Sequence, residues 1–249
     1  MQDFDAAKLA GIAHLQNRDG IGTLAERSLH ATLKYWFEPD EQYHEIKLPC
    51  GVVADICDGH RVVEIQTRRL ASLRPKLEKL LPNWPVTVVH PMTWHKTLVW
   101  VDPATGESTK PRRSPKVGQP WDALGELYWL HEFVGHPNLT VVLLLLDMEE
   151  YRLRDGWSRD GKKGSHRTER IPTAVGEPLV LADRRDYVQL LPPGLPDDFT
   201  TADFAKCGRL TARQSGYAVN TLYKIGIISR MGKSGRAHLY RVQNEGADS

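Results

Sequence analysis

Cysteine is scarce in this 249-residue chain, and its three copies are far apart. Cys50, Cys57 and Cys207 form no C-x-x-C pair, so the sequence indicates neither a disulfide framework nor a structural zinc site. The longest apolar run, 141–146, is too short to span a bilayer. The first residues lack the basic and apolar regions of a signal peptide. We therefore expect a cytoplasmic protein with no membrane partner.

A strong net charge is also lacking, because the formal charge is only +2. This value does not by itself indicate a nucleic-acid partner, so the distribution of charge along the chain has to decide. Apolar residues make up 41% and charged residues 26%, as in ordinary globular proteins. The turn-rich segment 191–196 separates two regions of different composition. It predicts one domain over residues 1–190 and a second over 197–249.

Two familiar enzyme motifs are incomplete. His131 and His136 are five residues apart, whereas the zinc-protease helix needs a spacing of four to put both imidazoles on one face. The segment 156–163 has P-loop spacing, but Lys163 stands where Ser or Thr would hold magnesium. A metalloprotease and an ATPase are both disfavoured.

A short predicted hairpin contains the candidate metal-binding residues of this chain. Two apolar segments, 51–57 and 62–66, flank an Asp58-Gly59-His60 turn, and Asp-Gly between such segments predicts a β-hairpin. Each strand has an acid where valine would be expected, Asp55 and Glu64. Gln66 lies two residues after Glu64 and so leaves the same face of the strand. Oxygen ligands grouped in this way suit a hard divalent cation. The alternative is that both acids lie on the solvated side of an edge hairpin.

Helices are predicted on both sides of this hairpin. Leu29, Leu33, Trp36 and Phe37 form an apolar stripe at helical spacing upstream of it. Thr23 and Glu26 form a capping-box pattern at the start of that helix. Downstream, residues 70–81 predict an amphipathic helix and 85–89 a buried strand.

These elements resemble the PD-(D/E)XK nuclease superfamily, in which one strand carries an acid and the next carries E-x-K. The resemblance implies an α/β fold with a restriction-endonuclease-like mixed sheet flanked by helices. It also implies Mg²⁺ (or Mn²⁺) bound by Asp55 and Glu64, with Glu26 facing the metal from the first helix. Glu26 has the alternative role of capping its helix. Gln66 stands where the superfamily usually has lysine, as in its E-x-Q members, and the resemblance implies that it orients water or substrate.

Positive charge is concentrated between Arg152 and Arg170, where seven Lys or Arg residues occur among glycines. We expect a mobile basic loop there. Such a run fits a solvated surface, and beside a metal site it also fits a phosphate clamp.

The C-terminal segment predicts helix, helix and a two-stranded hairpin, with a glycine C-cap at Gly226. This order resembles a winged helix-turn-helix. From Asp203 to Arg241 there are eight Lys or Arg residues and one acid. The resemblance and the charge imply DNA binding, although such folds also serve in protein contacts. The expected DNA-binding residues, on the second helix and the wing, are Arg213, Gln214, Asn220, Lys233 and Arg236.

Together these features predict a metal-dependent DNA endonuclease that a winged-helix module brings to DNA. One alternative is a non-catalytic DNA-binding regulator with a degenerate nuclease domain. Another is an RNA-directed or repair-associated role for the same active site. The sequence leaves open whether the protein forms a homodimer.

Overall fold

The structure is a computed structural model that describes residues 3–19, 27–157 and 163–243. The α-helices are α1 Phe4–Asp19, α2 Arg27–Phe37, α3 Arg74–Leu80, α4 Leu124–Leu127, α5 Thr201–Gly208 and α6 Ala212–Lys224. Short 3₁₀ helices occur at Glu41–Tyr43, Leu70–Leu73, Pro120–Ala123, Tyr128–Leu130 and Arg184–Leu190.

The β-strands form a large sheet and a small one. The strands are β1 His44–Lys47, β2 Val53–Cys57, β3 Val62–Ile65, β4 Val86–Val101, β5 Arg112–Arg113, β6 Leu139–Trp157, β7 Lys163–Val175, β8 Leu179–Leu181, β9 Asp198–Phe199, β10 Ile228–Ser234 and β11 Ala237–Val242. The large sheet has the order β1-β2-β3-β4-β6-β7, with β5 paired to β4 and β8 paired to β6. The small sheet has the order β10-β11-β9. The expected α/β class, with a large mixed sheet flanked by helices, is confirmed.

The hairpin of β2 and β3 forms where the sequence predicts it. Asp58 Oδ1 accepts hydrogen bonds from the backbone N–H groups of His60 and Arg61, each at 2.9 Å. Gly59 has a φ of 87°, a left-handed conformation that glycine adopts without strain. Val62, Val63 and Ile65 are buried, so the apolar positions anchor β3 in the sheet.

Helices α1 and α2 pack closely through a glycine. A Cβ atom at Gly11 would lie 2.7 Å from the backbone nitrogen of Thr32, so only glycine allows this approach. On α2, the predicted stripe is confirmed for Leu29, Leu33 and Trp36, which are all buried. Contacts to β3 and β7 hold α2 against the large sheet.

Contacts within the chain define two compact units. The first comprises residues 1–67, 88–118 and 144–179, and the second comprises 68–87, 119–143 and 180–249. The first unit therefore holds β1, β2 and β3 together with α1 and α2. The second holds α3 to α6 and the small sheet. The predicted domains, 1–190 and 197–249, stay predictions.

Each of the two C-terminal helices begins at a complete capping box. Thr200 and Asp203 cap α5, and Thr211 and Gln214 cap α6. Helix α6 ends at Lys224, with Ile225 as its C-cap, and Gly226 follows with a φ of 77°, as predicted for a glycine after a helix. The β10–β11 hairpin then turns at Gly235 and Arg236.

The expectation of a mobile loop between Arg152 and Arg170 was wrong for the residues that the structure describes. Residues 152–157 lie on β6 and residues 163–170 on β7, and the two strands pair as one long antiparallel hairpin. These segments have no alternating apolar pattern, so the sequence gives no strand signal here, and the pairing of β6 with β7 decides the structure. In the described ranges, no helix has both the length and the apolar character to cross a membrane.

Candidate functional site

Asp55 and Glu64 lie opposite each other on β2 and β3. The antiparallel register pairs Ile56 with Val63 and Cys57 with Val62, and the next step brings Asp55 opposite Glu64. Directly opposed residues in such a pair point to the same face, with Cβ atoms about 5 Å apart. The structure thus brings together the two acids that the sequence singled out.

The two carboxylates differ in their surroundings. Glu64 is 1% exposed, whereas the side chain of Asp55 is 23% exposed. A buried carboxylate is costly unless a cation or hydrogen-bond donors compensate for it. One acid is therefore enclosed by protein and the other is reachable from solvent, as a site that admits a ligand from one side requires.

Asp55 is held by the strand beside it and by helix α2. Its Oδ2 accepts a hydrogen bond from the backbone N–H of Ile65 at 2.8 Å. The imidazole Nε2 of His30 lies 3.3 Å from the same oxygen. At the end of the paired part of β2 and β3, the Ile65 N–H thus bonds to the Asp55 side chain and not to a backbone carbonyl of β2.

His30 is the site residue that the sequence analysis missed. It lies beside the apolar stripe of α2 and four residues after Glu26 in the sequence. Residues four apart on a helix share a face, so this spacing was an available signal. Glu26 itself lies outside the described residues, and its predicted metal and catalytic role stays a prediction.

Gln66 directly follows the last residue of β3, and β4 fixes its backbone. The expectation that its side chain shares the face of Glu64 stays a prediction. Its N–H donates to the carbonyl of Val89 at 2.9 Å, and its carbonyl lies 2.8 Å from Nδ1 of His90. His90 is buried. These two contacts set the position of Gln66 relative to Glu64 at the end of the strand.

A third acid lies in the same row across the sheet. The register of β1 and β2 pairs His44 with Ile56 and Ile46 with Ala54, so Glu45 stands opposite Asp55. Glu45 bonds to Lys34 Nζ at 2.9 Å. Since Lys34 is one helical turn after His30, α2 presents a histidine and then a lysine to neighbouring acids of this row.

The described residues provide only part of a binding site for a divalent cation. Asp55 and Glu64 offer the carboxylate oxygens that Mg²⁺ and Mn²⁺ prefer. Within residues 3–19, 27–157 and 163–243, no group of three or more His, Cys, Asp or Glu side chains is arranged to hold a metal ion. The described residues therefore supply two protein ligands, to which Glu26 and water would be added.

The predicted DNA-binding residues of α6 do not all serve the same purpose. Arg213 and Asn220 are seven residues apart, so they lie two turns apart on one face; Arg213 is exposed and Asn220 is half-buried. Gln214 is rotated about 100° from Arg213. Its Oε1 accepts hydrogen bonds from the backbone N–H and the hydroxyl of Thr211, at 3.0 and 2.8 Å. Gln214 thus caps the helix.

The remaining predicted residues lie at the tip of the β10–β11 hairpin. Lys233 pairs with His238 across the hairpin, and Arg236 lies in the turn itself. Both side chains are exposed. They can therefore meet a phosphate backbone without any rearrangement of the small sheet.

Comparisons with known proteins found a family model for residues 27–182 and a relative that matches most of the chain. A family model described as a domain of unknown function, DUF8091, matches residues 27–182, which is more than half of the sequence. This chain belongs to the DUF8091 family. The DUF8091 region runs from the start of α2 past β8, so it contains His30, Asp55, Glu64 and Gln66.

A relative from Treponema pallidum (strain Nichols), described as an uncharacterized protein, is 30% identical over 228 residues. That match covers 91% of this chain and 89% of the relative. The similarity therefore extends beyond the DUF8091 region into the C-terminal segment. No solved structure matches this chain.

Proposed function

We propose that this protein is a metal-dependent DNA endonuclease with a site of the PD-(D/E)XK type. The observation that carries the proposal is the placement of Asp55 opposite Glu64. Gln66 follows two residues after Glu64, just past the end of β3. Two acids inside an apolar hairpin have an energetic cost, and a metal site accounts for their presence. The cytoplasmic location stays part of the proposal.

Asp55 and Glu64 would hold Mg²⁺ or Mn²⁺, with Glu26 as a further ligand. When bound, such a cation lowers the pKa of a water molecule and stabilises charge on a phosphodiester under attack. The protein contributes position: the Ile65 N–H and His30 hold one oxygen of Asp55, so the carboxylate is oriented before any ligand arrives.

Gln66 would take a different part from the usual lysine. Its side-chain amide can donate one hydrogen bond and accept another, but it carries no charge. It can therefore orient a water molecule or a phosphate oxygen, and it cannot supply a cation. In this proposal the positive charge near the acids comes from elsewhere in the chain. Lys34 on α2, which pairs with Glu45 beside Asp55, is a described candidate.

The C-terminal segment would bring the enzyme to DNA as a winged helix. Two capped helices followed by a hairpin, with a short strand added at its edge, is the order that such a module requires. Arg213 and Asn220 would approach the major groove from one face of α6. Lys233 and Arg236 would contact phosphates from the hairpin tip.

One observation favours the alternative, a non-catalytic DNA-binding regulator. The carboxylate of Asp55 already has a backbone donor and an imidazole within reach, and Gln66 stands in place of lysine. A nuclease domain that has lost its metal would keep such internal contacts. In that case the chain would bind DNA in any buffer and cleave it in none.

Cleavage of supercoiled and linear DNA by the full chain separates the two functions. We expect nicked or cut products with Mg²⁺ or Mn²⁺, none with EDTA, and none from a Glu64→Gln variant that keeps the shape of the side chain. DNA binding measured in EDTA should be equal for both proteins. Binding without metal-dependent cleavage on either form of DNA would favour the regulator.

A further inference from the structure

A buried carboxylate organises several cations on the large sheet. Glu150, on β6, is fully buried. Arg152 Nε donates to its Oε1 at 2.7 Å. Lys96 Nζ and Arg170 Nε lie 3.5 and 3.6 Å from its Oε2. Three cationic side chains thus surround one carboxylate.

These cations come from three strands and share one face of the sheet. Lys96 is on β4, Arg152 is on β6, and Arg170 is the partner of Glu150 in the β6–β7 register. Between about a quarter and a third of each cationic side chain is exposed. The carboxylate is therefore inside while the charged groups around it reach solvent.

An aromatic ring and a further arginine extend this face. The guanidinium of Arg152 lies over the ring of Trp100, 5.7 Å from its centroid. On β5, Arg112 pairs with Leu98. Leu98 lies between Lys96 and Trp100 at strand spacing, so Arg112 points to the same face as both. Arg112 is exposed.

The basic face adjoins the candidate active site through helix α2. Ser28 Oγ donates to the carbonyl of Arg170 at 3.2 Å. Two residues later on the same helix, His30 lies beside Asp55. Helix α2 thus contacts both the strand that carries Arg170 and the strand that carries Asp55.

We propose that Lys96, Arg112, Arg152 and Arg170, with Trp100, form a binding face for the phosphate backbone of DNA, separate from the C-terminal module. The inference rests on the proposed DNA partner. A chance cluster of charge on a solvated surface would not place a carboxylate beneath the cations or a ring beneath a guanidinium. Ion pairing with Glu150 holds three of these cations in place, and a row of exposed cationic groups is complementary to a polyanion.

Two neighbouring arginines on β5 provide a variant and a matched control for testing this binding face. Arg112 and Arg113 are both exposed and adjacent on β5, so their side chains point to opposite faces. Arg112→Ser and Arg113→Ser remove the same charge from the same strand. Only the first removes it from the basic face.

The measurement is the affinity of the full-length variants for a fluorescent DNA duplex in EDTA, as a function of salt. We expect Arg112→Ser to weaken binding and to lower the slope of log K against log salt by about 1. Arg113→Ser should keep the wild-type slope. Equal slopes for the two variants would overturn the inference, with the proposed nuclease untouched. No DNA binding by the wild-type chain would instead overturn the DNA partner itself.

Discussion

Nε2 of His30 lies 3.3 Å from Oδ2 of Asp55, the oxygen that also accepts the Ile65 N–H. A helix and a strand thus meet at one carboxylate oxygen. This contact links the first helix of the family region to the acid pair, and it gives α2 a role beyond filling the core.

We expect His30→Ala to raise the Mn²⁺ concentration needed for half-maximal cleavage by about 10-fold. The reason is that a group holding a metal-binding carboxylate contributes to metal affinity. His30→Gln, which keeps an N–H donor, should recover part of the loss. His60→Ala, in the exposed hairpin turn, is the matched control and should behave as wild type. An unchanged Mn²⁺ requirement in His30→Ala would remove His30 from the site.

Gln66 gives a second prediction, because its side-chain amide is the group that departs from the common pattern. Gln66→Leu keeps the size but removes hydrogen bonding, and we expect cleavage to slow by about 10- to 100-fold. Gln66→Lys should retain metal-dependent cleavage. Single-turnover rates at saturating metal would check both. If Gln66→Leu cleaves at the wild-type rate, the amide has no part in the reaction.

Arg213 and Gln214 are neighbours on α6 with different expected roles. Arg213→Ala should weaken DNA binding at low salt and leave the melting temperature unchanged, since Arg213 is an exposed cation. Gln214→Ala removes the capping partner of Thr211 and should cost about 1 kcal/mol of stability. DNA-binding titrations and thermal melts of both variants separate the roles. The opposite pattern would mean that Gln214 contacts DNA.

The small sheet gives a pH-dependent prediction. The Arg241 guanidinium donates two hydrogen bonds of 2.7 Å to Asp198, and these hold the pKa of the Asp198 carboxyl below its ordinary value. A lowered folded-state pKa stabilises the fold above the unfolded pKa of about 3.9, and this contribution is lost as pH falls through the folded pKa. Asp198→Asn should therefore lower the melting temperature at neutral pH, and the difference from wild type should vanish in strong acid. Asp197→Asn, at the neighbouring exposed position, is the control. A difference that persists in acid would show that the ion pair is not its cause.

Much of the acid site followed from local sequence patterns. The Asp-Gly turn predicted the β2–β3 hairpin, whose register places Asp55 opposite Glu64. Gly226 predicted the end of the helix that became α6. Each of these features depends on residues close together in the chain, which is why the sequence alone was enough.

The rest depends on contacts between distant segments. Helix α1 was missed because Gly11 argues against a helix by propensity, yet it is required for the approach to Thr32. Strand β1 is short and partly exposed, so it has no apolar pattern to recognise. His30 became a site residue only when α2 packed over Asp55. The sequence did not single out Glu150, which is buried among cations from β4, β6 and β7 only in the folded sheet.

The most direct test of the metal-dependent nuclease compares two aspartates of the same hairpin. Asp55 faces Glu64, whereas Asp58 caps the turn through the N–H groups of His60 and Arg61. Single-turnover DNA cleavage at saturating Mn²⁺ should be at least about 100-fold slower for Asp55→Asn. Asp58→Asn keeps an acceptor for the turn and should cleave near the wild-type rate. Equal cleavage by Asp55→Asn and wild type would contradict the account.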